Sequence, residues 1–478
     1  MTKPDVEPLQ QSRLLAGMAR RIVDGPVDTG APMTPGDLLV GHMHRFRDRP
    51  LDFLLSLRRE TGDIARIDLA GLVAHGVFHP DGVQHVLQRN ARNYSKQTPA
   101  YRAMRIALGN GLVTSDGAFW LRQRRIAQPA FQRQRIDAFV PRMEAAARKT
   151  AERWREAARS GREVDVFAEM MRLTVEVVGE TMFGADVTGY VEELSPALAL
   201  VLADIDRRIT HLVPVPLAVP TPNNLKLRRA IASFDRVILG IIAERRRSGV
   251  RQDDLLDRLM YTPDPESGEV MTDEQLRDEA MTMFAAGHET TANALTWTWL
   301  QLSQHPGEAR RMHAELDAMI TDAPIDVDTV KSLEATKRVV LESMRLYPPV
   351  WVVARAAIED DEVLGVHIPA GSIVFASQWV THRHPRYWAH PEGFDPDRFS
   401  PERSAGRHRY AYFPFAGGPR QCIGNHFAMV EATVVLARLA REFEVDVVPG
   451  HRVELEPVIT LRPKSGLRAT IRQRTTAP

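Results

Sequence analysis

The sequence predicts a mostly α-helical protein with a small β component. Three observations carry this: long segments have apolar residues at three- and four-residue spacing, period-two alternation is confined to short stretches towards the two ends, and no Gly/Ser-rich linker, repeat or low-complexity tract interrupts the chain after Arg49. Residues 1–48 read as a partly flexible leader, within which residues 14–23 have the pattern of a short basic amphipathic helix. The alternating stretches DIARIDLAG (63–71) and HGVFH (75–79) predict strands. Helices follow at 133–161 and 225–249, each ending on a glycine, Gly161 and Gly249, that marks a helix C-terminus. Alternation returns in RVELEPVITLRPKSGLRATIRQR (452–474), so the β component is expected to come from both ends of the chain. The proline-rich stretches 25–37 and 211–224 are too short and too apolar to be linkers, and residues 49–478 are expected to form a single domain.

Charge and composition exclude several classes of function. Lys plus Arg (62) and Asp plus Glu (61) leave a net charge of +1, and 44% of residues are hydrophobic, the profile of an ordinary globular protein and not of a nucleic-acid binder. No apolar run reaches the 18 or so residues of a membrane span, and the N-terminus lacks the pattern of a cleaved signal, so a cytoplasmic monomer is expected. A single cysteine allows neither an intrachain disulfide nor a thiolate zinc cluster.

The longest predicted helix is also the one that breaks most rules. Thr272 and Gln275 make a capping-box pattern at its start and Pro306 a stop at its end, so roughly 32 residues would span about 48 Å. In its middle, FAAGHETTAN sets Gly287, His288, Glu289, Thr290 and Thr291 where a central helix should be apolar. Such violations in a strongly patterned element point to function. A glycine under a closely packed neighbour, with threonines bonding back to carbonyls, is the structural alternative. A second anomaly is LESMRLYPPV, where Glu342 and Arg345 lie one helical turn apart before the helix ends at Pro348 and Pro349; on a surface such a pair is worth at most ~1 kcal/mol. The third is YFPFAGGPRQCIGNHFAM (412–429), which holds the sole cysteine, Cys422, in a Gly/Pro loop directly before an apolar helix. A lone cysteine is most often a small buried hydrophobe.

Together these residues resemble the cytochrome P450 family of haem-thiolate monooxygenases. The family's cysteine signature is met by Phe415, Gly418, Arg420, Cys422 and Gly424. In the family's order stand also Trp120 with Arg124, the segment 286–291, Glu342 with Arg345, Arg355 after the double proline, Arg398 in FDPDRF, and the hairpin ITLRPKSGL. The resemblance runs from about Arg49 to the C-terminus. It implies the cytochrome P450 fold, with haem b (iron protoporphyrin IX) held between the long central helix and the cysteine loop and helix.

Several roles are implied by this resemblance. Cys422 would be the axial thiolate ligand of the iron, with Gly417 and Gly418 turning backbone N–H groups towards the sulfur and Gly424 letting the following helix approach the porphyrin. Arg420, Arg124 and Arg355 would pair with the haem propionates, Trp120 adding an indole donor. His426 is a rival ligand. Glu342, Arg345 and Arg398 would form a buried structural triad. Thr290 and Glu289 would manage the two protons that O2 activation consumes, and Gly287 would leave room for O2. Electrons from NAD(P)H would arrive through a ferredoxin or flavodoxin and its reductase, docking on Arg122, Arg125, Arg407 and Arg409. Over the haem, Val113, Phe284, Ala285, Val350, Val352 and Ile459 would line an apolar pocket under a mobile lid at 212–219. That pocket suits terpenoids, steroids, macrolides or fatty acids, although His75 alone is offered for a carboxylate. A peroxide-driven hydroxylase or isomerase and a non-enzymatic haem sensor remain as alternatives; the intact acid and threonine weigh against the first, and the missing output module against the second.

Overall fold

Two short helices, Met43–Asp48 and Pro50–Thr61, lead into a hairpin of strands Ile64–Leu69 and Leu72–Val77. The computed structural model describes residues 29–37, 40–184, 188–210, 215–252 and 254–474. The hairpin turns on Ala70 and Gly71, both at positive φ (53° and 87°), the left-handed two-residue turn that matches the twist of antiparallel strands. The chain before Arg49 is tied to this hairpin: the His42 N–H donates to Asp68 O at 2.7 Å and the Arg66 N–H to Pro32 O at 2.9 Å. The amphipathic stretch 14–23 lies outside the described residues.

The β component is not built from the two ends alone. The hairpin continues through Ile373–Ala376, parallel to Leu72–Val77, then Val353–Ala357 and Tyr94–Ser95, giving a five-stranded sheet. The two middle strands are short, apolar apart from Arg355, and almost wholly buried, so they carry no alternation for a sequence reading to find. At the far end, Phe443–Val447, Arg468–Gln473 and Val164–Asp165 make a three-stranded sheet, and Leu455–Pro457 pairs with Leu461–Pro463 as a separate hairpin.

Helices make up most of the rest. The segment expected at 133–161 splits into Arg133–Asp137 and Val140–Ser160, because Pro141 fits only the first turn of the second helix. Pro222–Ser248 runs as expected to Gly249, whose φ of 63° closes the helix in the left-handed region. The central helix, Asp273–Gln304, has 32 residues and the full capping box between Thr272 and Gln275. Pro306 does not merely stop it; it opens the next helix, Pro306–Met319. Trp299 of the central helix packs against Trp154 at 5.3 Å between ring centroids, and Trp154 against Phe443 at 5.8 Å. Each such ring removes 150–250 Å2 from water, which anchors the helix at the middle of the core. No helix among the described residues is long and apolar enough to cross a membrane.

Glu342 and Arg345, on the helix Glu334–Leu346, are fully buried (0% exposed) and joined by two bonds of 2.7 and 2.8 Å. Arg398 Nε donates to the same carboxylate at 3.2 Å, so the expected triad forms. Removing one partner of a buried pair leaves an uncompensated charge. Glu342→Ala is expected to lower stability by about 3–5 kcal/mol, read as a fall in the urea midpoint, with loss of soluble haem-loaded protein. An unchanged midpoint would refute the assignment.

Candidate active site

The cysteine loop is shaped by close packing. Gly418 has φ +67°, and a Cβ there would sit 1.8 Å from Leu87 O, so no other residue fits without moving the backbone. Gly417 packs against the Tyr410 ring. These contacts account for the two glycines. The N–H that reaches the sulfur belongs to Gly424, not to Gly417 or Gly418. The Cys422 N–H donates to Phe415 O at 3.0 Å, which closes the loop. The sulfur is open to an internal cavity of about 330 Å3 yet lies deep in the fold. Burial pushes the thiol pKa up, while the Gly424 N–H, Arg124 and Lys96 oppose that rise. The helix Asn425–Glu442 starts two residues beyond Gly424's neighbour Ile423, so its positive N-terminal dipole also favours the thiolate. His426 turns elsewhere: its Nε2 lies 3.0 Å from Asp137 Oδ1. It does not line the cavity.

Four cations converge on the same cavity: Lys96, Arg124, Arg355 and Arg420. Lys96 Nζ donates to Val113 O at 2.8 Å and lies 5.1 Å from the Tyr101 ring. Arg355 is bonded to Tyr101 OH at 3.2 Å, Arg124 to Gln421 O at 3.1 Å, and Arg420 to Ser115 O at 2.9 Å and to the Asp116 carboxylate. The Arg420 guanidinium stacks 3.7 Å over the Trp120 ring. Burial and the neighbouring positive charges drive the Lys96 pKa well below its ordinary value and that of Arg420 down to about 10. Asp116 opposes them at both groups, joined at Arg420 by Tyr101. A cavity walled by a thiol at one side and by this excess of cations at another fits a flat iron-binding dianion, and haem is such a group. Sequence reasoning missed Lys96 and Tyr101, which stand in unpatterned loop and short helix.

A larger cavity of about 540 Å3 adjoins this one, and Ala286 and Thr290 of the central helix, with Tyr101, Val113, Val350 and Val353, border both. Thr290 Oγ1 donates back to Ala286 O at 2.7 Å. Thr291 is buried and lies beside Glu431 of the cysteine helix. A Cβ on Gly287 would meet Val178 of the helix Val166–Met182 at 3.3 Å, so the missing side chain admits that neighbour. His288 is buried, bonded to Met171 O at 3.0 Å, and held neutral by a pKa lowered to about 4. Glu289 is 2% exposed, and its burial raises its pKa.

The larger chamber is bordered by Val113, Ala285, Val350, Val352 and Ile459, as expected. Phe284 is the exception. It is buried on the opposite side of the helix, 5.9 Å from Phe234 and 6.0 Å from His288. The lid expected at 212–219 differs as well. Residues 212–214 lie outside the described residues, and 215–219 do not border the chamber; Val215 and Val219 are exposed. The carbonyls of 215–219 are instead taken by Arg208, Asn224 and Arg228, at 2.6–2.9 Å. The helix Thr188–Thr210 forms the roof, through Leu202, Ile205 and Ile209. His75 is buried, bonded to Thr29 Oγ1 at 3.2 Å, and neutral at a pKa of about 4. Two arginines that the sequence reading missed do reach the chamber. Arg47 is paired with Asp48 at 2.7 Å and Arg208 with Asp204 at 2.5 Å.

The family description "Cytochrome P450" matches residues 32–467. The chain belongs to the cytochrome P450 family. It is 36% identical over 433 residues to cyclooctatin synthase of Streptomyces melanosporofaciens, covering 90% of this chain and 93% of that one. It is 33% identical over 448 residues to pentalenene oxygenase of Streptomyces avermitilis, covering 93% and 98%. Among solved structures, the cytochrome P450DA heme domain superposes with a TM-score of 0.85 at 28% identity, over 93% of this chain and 98% of that one. This P450 is thus a monooxygenase of haem and O2 whose electrons come from a partner. Of the four arginines expected to dock that partner, three are committed within the fold. Arg122 bonds Gln275 and the carbonyl of Val270, Arg125 bonds Asp264 through both oxygens, and Arg407 lies over Trp388. Arg409 is exposed.

The loop 109–116, which carries Val113 and the partners of Lys96 and Arg420, is clamped by the central helix. The Leu112 N–H donates to Glu279 at 3.0 Å, Gln123 Nε2 donates to it at 3.2 Å, and the Asn110 N–H donates to Asp278 at 2.6 Å. Burial raises the Glu279 pKa from 4.5 to about 7. The folded protein therefore holds this proton more tightly than the unfolded chain. The stability this confers is complete below pH 4.5 and is lost as pH rises through about 7. Glu279→Gln, which mimics the protonated form, should gain in stability over the wild type as pH goes from 5 to 8, by up to roughly 3 kcal/mol, seen as a widening gap between their melting temperatures. A difference independent of pH would show that Glu279 keeps its ordinary acidity.

Proposed function

We propose that this P450 hydroxylates or epoxidises a neutral, largely hydrocarbon substrate of the terpenoid class. The observation that carries the reading is the chamber itself: about 540 Å3, mostly apolar, opening on Thr290, with both of its arginines already paired to aspartates. Among the described residues, no free cation there offers a substrate carboxylate a compensating charge, which disfavours fatty acids. Relatives named as an oxygenase of pentalenene and as a 5-monooxygenase of cyclooctat-9-en-7-ol act, by those names, on an alkene and an unsaturated alcohol, which supports a neutral ligand.

In this reading Cys422 ligates the iron, and Lys96, Arg124, Arg355 and Arg420 hold the two propionates with Trp120 beneath Arg420. Bound there, haem would supply the redox chemistry: O2, two electrons and two protons become one oxygen atom inserted into the substrate and one water. The chain's own residues orient, exclude water and manage protons. The apolar walls desolvate the substrate and hold it against Ala286 and Thr290. Glu289, its carboxyl kept protonated longer by burial, carries a proton at its Oε atoms. Thr290 Oγ1 can turn from Ala286 O to the inner cavity and present its hydroxyl where a proton is consumed. The electrons are assigned to NAD(P)H through a ferredoxin or flavodoxin with its reductase, Arg409 being the exposed cation for that contact. In this reading residues 49–478 act as a single catalytic domain.

Difference spectra on a panel of neutral terpenoids, steroids, macrolides and fatty acids test the substrate class. Neutral terpenoids should shift the haem absorption band at the lowest concentrations; tightest binding by fatty acids would overturn the assignment. Thr290→Ala should fold and bind haem normally, because its hydroxyl is worth only about 1 kcal/mol to stability. With a ferredoxin system it should consume NAD(P)H but lose product per NAD(P)H several-fold to hydrogen peroxide, whereas Thr291→Ala should change coupling little. Equal, wild-type coupling in both would make Thr290 merely structural. No reduction by either carrier would reject the partner.

A further inference from the structure

The acid of the central helix is held by an element outside the family's cysteine and oxygen motifs. Thr460 Oγ1, in the turn of the hairpin Leu455–Pro457 and Leu461–Pro463, donates to Glu289 Oε1 at 2.9 Å, and Asn293 Nδ2 donates to Thr460 Oγ1 at 3.2 Å. Arg462, from the same hairpin, sets its Nη1 3.7 Å from Glu289 Oε1 while its Nε bonds Glu456 Oε2 at 2.6 Å. Glu456 and Glu289 both border the chamber. Their exposures differ sharply: the Glu456 side chain is 32% exposed and that of Glu289 3%.

We propose that Arg462 is a positioning residue for the monooxygenase reaction, a single cation shared between the buried Glu289 and the half-exposed Glu456, and that the C-terminal hairpin thereby sets when the central-helix acid carries its proton. The two carboxylates compete for one guanidinium. When Glu289 is ionised, Arg462 is drawn inward; when Glu289 takes a proton, Arg462 relaxes onto Glu456 at the chamber rim. Thr460 fixes the rotamer of Glu289 in either case. The signs agree with the surroundings: Arg462 and Thr460 favour the ionised form of Glu289, whereas burial and Glu456 oppose it. The other charged or titratable neighbours are engaged elsewhere. His288, on the same helix, is bonded to Met171 O, and Arg208 of the roof helix is bonded to Asp204, Asn224 and Val215 O. Asp206 of that helix also borders the chamber. Sharing one cation between a buried and an exposed acid gives the buried one a partner that can leave, which a fixed pair could not do.

The proposal rests on the proton role given above to Glu289, and the test keeps the two apart. The ferric holoenzyme is titrated by pH-difference infrared spectroscopy, and the carboxyl band of Glu289 is isolated by subtracting the spectrum of Glu289→Gln. Arg462→Gln should raise the midpoint by about one pH unit, and Glu456→Gln should lower it, since the freed guanidinium turns inward. Arg462→Lys should return the midpoint towards the wild-type value, and Thr460→Val should raise it. Opposite shifts from two neighbours on one hairpin are not expected from loosened packing. Midpoints that do not move, or that move in the same direction for Arg462→Gln and Glu456→Gln, overturn the proposal. Opposite shifts accompanied by unchanged coupling in Glu289→Gln would uphold the shared cation and reject the proton role.

Discussion

The geometry of the thiol depends on a pair of charges that never touches it. Glu342 and Arg345 neutralise each other in a fully buried setting, and the donors left on Arg345 then reach His382 O, Pro391 O and Gly393 O. Arg398 does the same for Ala389 O and His390 O. The result is that an irregular stretch with no strand or helix to organise it has its carbonyls satisfied by two guanidiniums. That stretch in turn grips the approach to the cysteine: His382 accepts from the Phe413 N–H at 2.9 Å, and Trp388 Nε1 donates to Ala411 O at 3.2 Å. From Phe413 the chain needs only the Phe415 carbonyl to close the loop on Cys422. Desolvating two charges is costly, so the pair is better understood as a device for placing a loop than as a source of net stability.

A second constraint acts on the opposite rim of the same cavity, and it is electrostatic. Lys96 and Arg355 are buried and Arg124 and Arg420 partly so, with Asp116 the acid beside them among the described residues, an arrangement that a protein free of ligands would not favour. The fold is therefore incomplete in its charge balance without an anionic occupant. The adjoining chamber has the reverse character, since each of its arginines brings its own acid. A space that demands negative charge thus adjoins one whose arginines are already paired, which keeps a carboxylated cofactor and a neutral substrate from exchanging places.

Where residue type alone determines structure, the sequence was legible. Gly249 and the capping box at Thr272 mark helix ends through backbone chemistry that no packing can override, and the cysteine signature names its residues one by one. Phe284 shows where this stops. The central helix is buried on nearly every side beyond that point, so its pattern does not reveal which apolar residue faces the chamber and which faces Phe234. Strands Val353–Ala357 and Ile373–Ala376 were hidden for the same reason, burial on both faces. Lys96, Tyr101, Arg462 and Glu456 belong to the site through contacts with residues more than a hundred positions away or across a tight turn, and periodicity carries no information about either.

The segment 215–219 is held by its main chain. Arg208, Asn224 and Arg228 grasp five consecutive carbonyls, and a carbonyl is common to every amino acid. The apolar side chains there are accordingly released from any duty in anchoring, while the three residues that do the anchoring sit on the helices at either side. Evolution can therefore rewrite this surface of the enzyme, residue by residue, without first finding a new way to keep it in place. A segment fastened through its main chain leaves its outward side chains free to vary while the chamber beneath keeps its walls.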